Sequence, residues 1–186
     1  MSAIPKEVRF NWNDLQEMPD DGKRYEVIDG DLYVSPSPFP WHQRTAGALF
    51  GAINLHVRKH KLGRTFIAPL DVKFGFEDVV EPDVVYFSRE RLPDLPNSVI
   101  EIPPDLAVEV LSKSSRSRDL GPKMKLFARF SVPHYWVADP DAQKLTAYRL
   151  SGGGVYAIEA ELTVAEVFKP SLFPGLEISL AEVFER

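Results

Sequence analysis

The alternation and spacing of apolar residues along the chain predict strands interleaved with helices. Apolar residues at helical spacing indicate an amphipathic helix over residues 41–60, a second from about Ser117 to Phe130, and a short one from Leu180 to Glu185. Short apolar runs predict strands near 24–28, 32–34, 65–68, 70–76, 83–87, 105–111, 134–138, 144–150 and 155–160. This order of elements favours an α/β sheet with helices on its faces.

Two turn signals predict hairpins at the two ends of this series. Asp29-Gly30 stands between the first two strands, and Ser151 to Gly154 separates the last two. At 186 residues the chain is long enough for one full core and short for two, so we expect a single domain over 1–186.

Acidic residues interrupt several runs that otherwise predict buried strands. Glu109 lies in the middle of one apolar run, Asp83 lies near the start of another, and Glu26 lies in the first hairpin strand. A buried carboxylate is costly unless a cation or hydrogen bonds compensate it, and two on successive strands suggest a metal site. The alternatives are a structural ion pair for Glu109, a turn residue for Asp83 and an exposed hairpin face for Glu26.

The helix predicted from Ser117 to Phe130 carries a lysine on its apolar side. Its buried stripe is predicted to consist of Leu120, Met124, Phe127 and Phe130. Lys123 falls within this stripe, whereas Lys125 and Arg129 fall on the solvent side. We expect Lys123 either to extend outward along the surface or to reach the Asp83–Glu109 pair. We favour the second and expect its removal to abolish activity without unfolding the protein.

Charge and composition narrow the classes of function. The net charge of −5 argues against a general nucleic-acid coat protein. Residues 77–109 carry an excess of seven acids, and residues 113–129 an excess of five bases, which suits a metal site beside a phosphate-binding edge. Two ordinary solvated surfaces would give the same counts.

The sequence contains no cysteine and no long apolar run, and both absences bear on the chemistry and the cellular location of the protein. The absence of cysteine excludes disulfides and thiol chemistry. Residues 1–7 lack the apolar core of a signal peptide, and no apolar run is long enough for a membrane helix. We therefore expect a cytoplasmic protein that does not contact membranes.

Seven short motifs occur in a characteristic order: Arg24 to Gly30, Ser35-Pro36 with His42, Glu81-Pro82-Asp83-Val84, Pro104 to Ser112, Arg118 to Lys123, Val132 to Pro140, and Phe173 to Leu176. The chain thereby resembles a bacterial family (Uma2/DUF820-like) assigned to the restriction-endonuclease-like PD-(D/E)XK nuclease superfamily. The resemblance implies a mixed central sheet flanked by helices, with Asp83 and Glu109 as metal-binding acids and Glu26 as an added acid. Leu111 stands where the superfamily has a lysine, and Lys123 matches the helix lysine that replaces it.

The combined interpretation is a metal-dependent endonuclease that hydrolyses DNA. Asp83, Glu109 and the Val110 carbonyl are predicted to hold Mg²⁺ or Mn²⁺, with Glu26 and Lys123 completing the catalytic site. Candidate DNA contacts are Arg116, Arg118 and His42, although a histidine on an apolar helix stripe is more often a packing residue. The alternatives are a non-catalytic nucleic-acid or protein-binding module on the same scaffold and, less favoured, a two-carboxylate glycosidase. A homodimer is compatible with the sequence.

Overall fold

The computed structural model describes residues 8–185. The prediction about a signal peptide, which concerned residues 1–7, lies outside these residues. The strands are β1 Arg24–Ile28, β2 Asp31–Ser35, β3 Gly63–Ile67, β4 Val72–Gly75, β5 Asp78–Val80, β6 Val84–Ser88, β7 Leu106–Val110, β8 His134–Asp139, β9 Lys144–Leu150, β10 Tyr156–Thr163, β11 Val167–Phe168 and β12 Ile178–Ser179. The helices are α1 Trp12–Gln16, α2 Pro40–His60, α3 Arg116–Arg118, a π-helical turn Asp119–Lys123, α4 Met124–Arg129 and α5 Leu180–Val183.

Six strands form the central sheet in the order β10-β9-β8-β7-β6-β3. Only β7 and β8 run parallel within it, and the other neighbours are antiparallel. A parallel pair needs a crossover connection, which here is the segment containing α3, the π turn and α4. The sheet is therefore mixed and flanked by helices, as the sequence predicts, and the crossover carries Lys123 next to the end of β7.

Side chains of β7 alternate between two cores, as the sequence pattern predicts. Leu106, Val108 and Val110 pack in the cluster that includes the buried face of α2 and residues of α5. Ala107 and Leu111 pack on the other face, in the cluster containing the buried residues of α4. Because both faces of this strand are covered, the acid in its middle, Glu109, is only 3% exposed.

A second sheet, ordered β2-β1-β5-β4, carries the predicted first hairpin. Asp29 and Gly30 form its turn with φ of 51° and 77°, the left-handed pair that a two-residue hairpin of this kind requires. The register then pairs Glu26 with Tyr33. The register set by this turn fixes the face of β1 on which Glu26 lies. That face lines the cavity described below.

The helix predicted from Ser117 to Phe130 is not continuous. Pro122 lies inside the π turn, where its missing N–H and its ring disfavour an ordinary α-helical hydrogen bond. Widening of the helix to a π turn accommodates this residue, and such turns are frequent at functional sites. As a result, Asp119 and Lys123 both face the interior and are each 1% exposed.

The predicted apolar stripe of this segment is wrong at one position. Leu120 is 40% exposed, because the π turn shifts the helical phase before Met124. Leu126, which the predicted stripe omitted, is buried instead. Lys125 and Arg129 are exposed, as predicted.

Two further details differ from the predicted elements. The strand predicted over 70–76 corresponds to β4, and β5, which pairs with it, was not predicted. Asp83 does not lie within a strand but immediately before β6, the alternative that the Pro-Asp sequence left open. Among residues 8–185, no helix is both long and apolar enough to cross a membrane.

Candidate functional site

A cavity of about 580 Å³ opens beside the carboxyl end of β7. Its walls come from β1, from the proline-rich segment 35–41 leading into α2, from the segment 81–83, and from the loop and π turn that follow β7. This volume lies within the range of about 300–1,000 Å³ that is usual for small-ligand sites. Glu26, Asp83, Glu109 and Lys123 all line it.

Lys123 forms the centre of a buried charge network. Its Nζ lies 2.7 Å from Oε1 of Glu26 and 2.7 Å from Oε1 of Glu109. Although burial opposes its charge, the two glutamates raise the pKa of Lys123 above its ordinary value. The lysine therefore does not extend to the surface, and it remains an ammonium at neutral pH.

The carboxylate of Glu26 has three partners. Besides Lys123, its carboxylate accepts the Glu81 backbone N–H at 2.8 Å and lies 3.2 Å from the Arg118 guanidinium. Burial would favour the neutral acid, but the charges of Lys123 and Arg118 lower the pKa of Glu26. The exposed hairpin face considered for this residue is wrong, since Glu26 is only 2% exposed.

Asp83 has a separate set of partners at the neighbouring edge of the cavity. Its Oδ2 accepts the Val110 backbone N–H at 2.8 Å and lies 3.1 Å from Nε2 of His42, and its Oδ1 lies 2.7 Å from Arg24. Burial is outweighed by His42 and Arg24, which lower the pKa of Asp83 to about 2. His42 thus lies in the site and contacts an acid.

Glu109 is the least compensated acid of the cavity. Burial raises the pKa of Glu109 well above its ordinary value, and the charges of Asp119, Asp83 and Glu26 add to this effect. Its Oε1 contacts Lys123 electrostatically without an aligned hydrogen-bond donor. Glu109 is the group whose ionised form gains most from an additional cation.

The two arginines predicted to bind phosphate lie in different places. Arg118 lines the cavity, where it contacts Glu26 and donates a hydrogen bond to the Ser35 hydroxyl at 2.7 Å. The guanidinium of Arg116 instead pairs with Asp139 at 2.6 Å, and Arg116 does not line this cavity.

Three site residues were assigned no role by the sequence analysis. Arg24 bridges Glu81 at 2.8 Å and Asp83, Glu81 itself lines the cavity, and Asp119 lies one helical turn before Lys123. Burial raises the pKa of Glu81 to about 7. The period of two along β1, which places residues 24 and 26 on one face, was a usable signal for Arg24.

The charge of the cavity allows a test of whether a divalent metal fits. Five carboxyl groups line its inner part: Glu26, Glu81, Asp83, Glu109 and Asp119. Three permanent cations oppose them: Arg24, Arg118 and Lys123. Full ionisation would leave an excess of two negative charges, which one divalent cation would balance.

The donor chemistry gives a second part of this test. Within residues 8–185, no group of three or more Asp, Glu, His or Cys side chains is arranged to hold an ion by itself. Mg²⁺ does not require such a group, because it binds through one or two carboxylates and completes its shell with water and substrate phosphate. The oxygen donors of Asp83 and Glu109 therefore fit Mg²⁺ or Mn²⁺ with an incomplete protein shell.

A solved structure has the same fold as this chain. The chain matches the crystal structure described as "a putative nuclease belonging to DUF820 from Anabaena variabilis" with a TM-score of 0.77 and 23% sequence identity. The match covers 94% of this chain and 97% of that one. At this level of identity the likeness establishes the fold.

The family follows from the sequence profile that matches residues 12–181. The profile is that of Uma2, described as "Putative restriction endonuclease", and the chain belongs to this family. No curated protein matches the chain. Family membership supports a nuclease in general terms and agrees with the resemblance drawn from the seven motifs.

Proposed function

We propose that the protein is a divalent-metal-dependent endonuclease that hydrolyses DNA phosphodiester bonds in this cavity. The observation that carries the proposal is the buried Lys123 ammonium bridging Glu26 and Glu109, beside Asp83, in a cavity lined by more carboxyl groups than permanent cations. A purely structural ion pair would need no open cavity next to it. Family membership supports the same class of reaction.

Asp83, Glu109 and the Val110 carbonyl are the groups that would hold Mg²⁺ or Mn²⁺. When bound, such an ion polarises a phosphate oxygen and lowers the pKa of a coordinated water molecule. Asp83 is kept ionised by its neighbours and is oriented by the Val110 N–H, so it is ready to act as a ligand. If Asp83 binds an ion, Arg24 or His42 must give up part of its contact with the Asp83 carboxylate.

Lys123 has the properties of an electrostatic group rather than a base. Because the glutamates raise its pKa, it keeps its proton and can donate hydrogen bonds to a phosphate oxygen or to the attacking water. Glu26 is the second carboxylate that contacts the lysine, and Arg118 contacts Glu26 in turn. Arg118 and His42 are the proposed contacts with DNA, and Arg116 is a weaker candidate because it pairs with Asp139. A cytoplasmic location, where DNA is present, completes the proposal.

The decisive experiment is cleavage of supercoiled plasmid DNA with Mg²⁺, with Mn²⁺ and with a chelator. We expect nicking or linearisation only with an ion, and a loss of at least a hundredfold in Asp83→Asn and Glu109→Gln. Glu177→Gln is the matched control, because this exposed acid pairs with Lys169 at the surface. Activity in the chelator, or full activity in either site variant, would contradict the proposal.

One observation favours the alternative of a binding module. Asp83 already contacts Arg24, His42 and the Val110 N–H, so its charge is satisfied without a metal. A non-catalytic protein would bind DNA or a protein partner in the same cavity and leave plasmid intact under every ionic condition. The glycosidase alternative has no support from the family assignment.

A further inference from the structure

The proposed catalytic groups lie deep in the cavity. Glu26, Asp83, Glu109 and Lys123 are each between 1% and 3% exposed. A duplex is wide and stiff, with a persistence length of about 150 base pairs, so a flexible single strand enters a cavity of about 580 Å³ more readily than a duplex does. The burial of these four side chains therefore limits which forms of DNA can reach them.

One part of the lining presents an aromatic ring to solvent. Phe39 lines the cavity and is nevertheless 78% exposed, so it adds little to the core. It stands between Pro38 and Pro40, and its extended backbone, with φ −69° and ψ 156°, is the conformation that a following proline favours. The ring therefore projects from a stiffened segment, which lowers the entropy lost when a planar ligand stacks on it.

The rest of the opening has the charge and shape that suit a nucleotide strand. Trp41 lines the cavity two residues beyond Phe39. On the loop after β7, Lys113 is exposed and lines the same cavity between Ser112 and Ser114. Proteins that bind single strands combine basic groups for the backbone with aromatic rings for the bases.

We propose that this cavity receives an unpaired DNA strand, with a base stacked on Phe39 and the backbone passing Lys113. The substrate class is then single-stranded DNA, or the unpaired region of an overhang or flap, rather than continuous duplex. The inference rests on the proposed function and specifies its substrate. It differs from general binding to duplex DNA because it requires a base contact at Phe39.

The test compares binding and cleavage of three DNA substrates of matched sequence: a single strand, a blunt duplex, and a duplex with a single-stranded overhang. Binding is measured by fluorescence anisotropy in Ca²⁺, and cleavage separately in Mg²⁺ or Mn²⁺. We expect the single strand and the overhang to bind at least tenfold more tightly than the duplex. Phe39→Ala should weaken binding of the single strand about tenfold, the loss typical of one stacked base.

A matched control is Phe76→Ala, since this ring is 55% exposed but lies outside the cavity lining. A 2-aminopurine base in the single strand gives a direct readout, because its fluorescence falls on stacking. That decrease should disappear in Phe39→Ala and persist in Phe76→Ala.

Each result bears on a separate claim. Equal binding and cleavage of blunt duplex, or equal effects of the two phenylalanine variants, would overturn the inference and leave a DNA endonuclease in place. Tighter binding of a matched RNA strand would overturn the assignment to DNA. Binding of single strands that depends on Phe39, without cleavage in any ion, would support the binding surface and overturn the proposed nuclease.

Discussion

Replacing Lys123 by methionine is expected to destabilise the fold as well as the activity. The substitution nearly preserves side-chain volume, so it removes the ammonium without opening a large cavity. It leaves Glu109 without the cation 2.7 Å away, whereas Glu26 retains Arg118 at 3.2 Å. The effect therefore falls mainly on Glu109.

The size of the effect follows from the burial of the network. Lys123 is 1% exposed and its two acids are 2% and 3% exposed, so solvent screens these contacts very little. Removing one partner of a buried ion pair typically costs about 3–5 kcal/mol. In a domain of this size, that corresponds to a decrease in melting temperature of about 6–20 °C. The expectation from the sequence was that the protein stays folded without Lys123, and the burial of the network adds a substantial loss of stability to that expectation.

The stability lost in Lys123→Met should depend on pH in a defined direction. Burial already raises the pKa of Glu109 above its unfolded value, and removing the ammonium takes away the charge that opposes this increase. The folded variant then binds more protons than the unfolded chain, so its stability decreases as pH rises through the folded pKa of Glu109. The deficit relative to wild type should be small near about pH 5 and larger near about pH 8.

Thermal melts across this pH range, followed by circular dichroism, measure the effect. Lys125→Met is the control, because Lys125 is exposed on the same segment and should change stability by less than about 0.5 kcal/mol. Adding Glu109→Gln to Lys123→Met should recover part of the loss. Equal melts for the Lys123 and Lys125 variants, or a deficit that does not change with pH, would refute the reasoning.

Two further predictions concern the metal and the backbone. Millimolar Mg²⁺ or Mn²⁺ should raise the wild-type melting temperature, because a hundredfold excess over the dissociation constant adds about 2.7 kcal/mol to the free energy of unfolding. Asp83→Asn or Glu109→Gln should remove this shift. A wild-type melt unaffected by both ions, also in the presence of an oligonucleotide with Ca²⁺, would speak against the metal site. Gly63→Ala should destabilise strongly, because a Cβ there would lie 2.1 Å from the carbonyl oxygen of Phe87. Gly47→Ala, in α2 with no heavy atom within 4 Å of the added Cβ, should instead stabilise by about 0.5–1 kcal/mol, and denaturant titration distinguishes the two.

Local sequence determined the elements whose cause is local. Asp29-Gly30 set the first hairpin because few residue pairs adopt two consecutive left-handed conformations. Alternation along β7 correctly assigned the opposite faces of the strand and placed Glu109 in a covered position. The helix predicted over residues 41–60 agrees with α2 to within one residue at its start.

Two other features of the structure also have local causes that are visible in the sequence. Asn11 and Asp14 form a reciprocal capping box at the start of α1, a pattern visible in the sequence. Pro122 in the crossover segment is a sequence signal for a break in the predicted helix, and this break accounts for the exposure of Leu120. A proline inside a helical pattern changes which residues face the core, even when the helix continues beyond it.

Only the tertiary structure decided which charges meet. The sequence placed Lys123 on a buried surface and favoured the Asp83–Glu109 pair as its partner, but the structure pairs it with Glu26 and Glu109. Asp83 is instead paired with Arg24, a residue 59 positions away. Periodicity reports that a side chain is buried, whereas the identity of its partner depends on how the two sheets and the crossover segment pack. The same packing encloses the cavity and leaves Phe39 at its opening, because both depend on contacts between segments far apart in the chain.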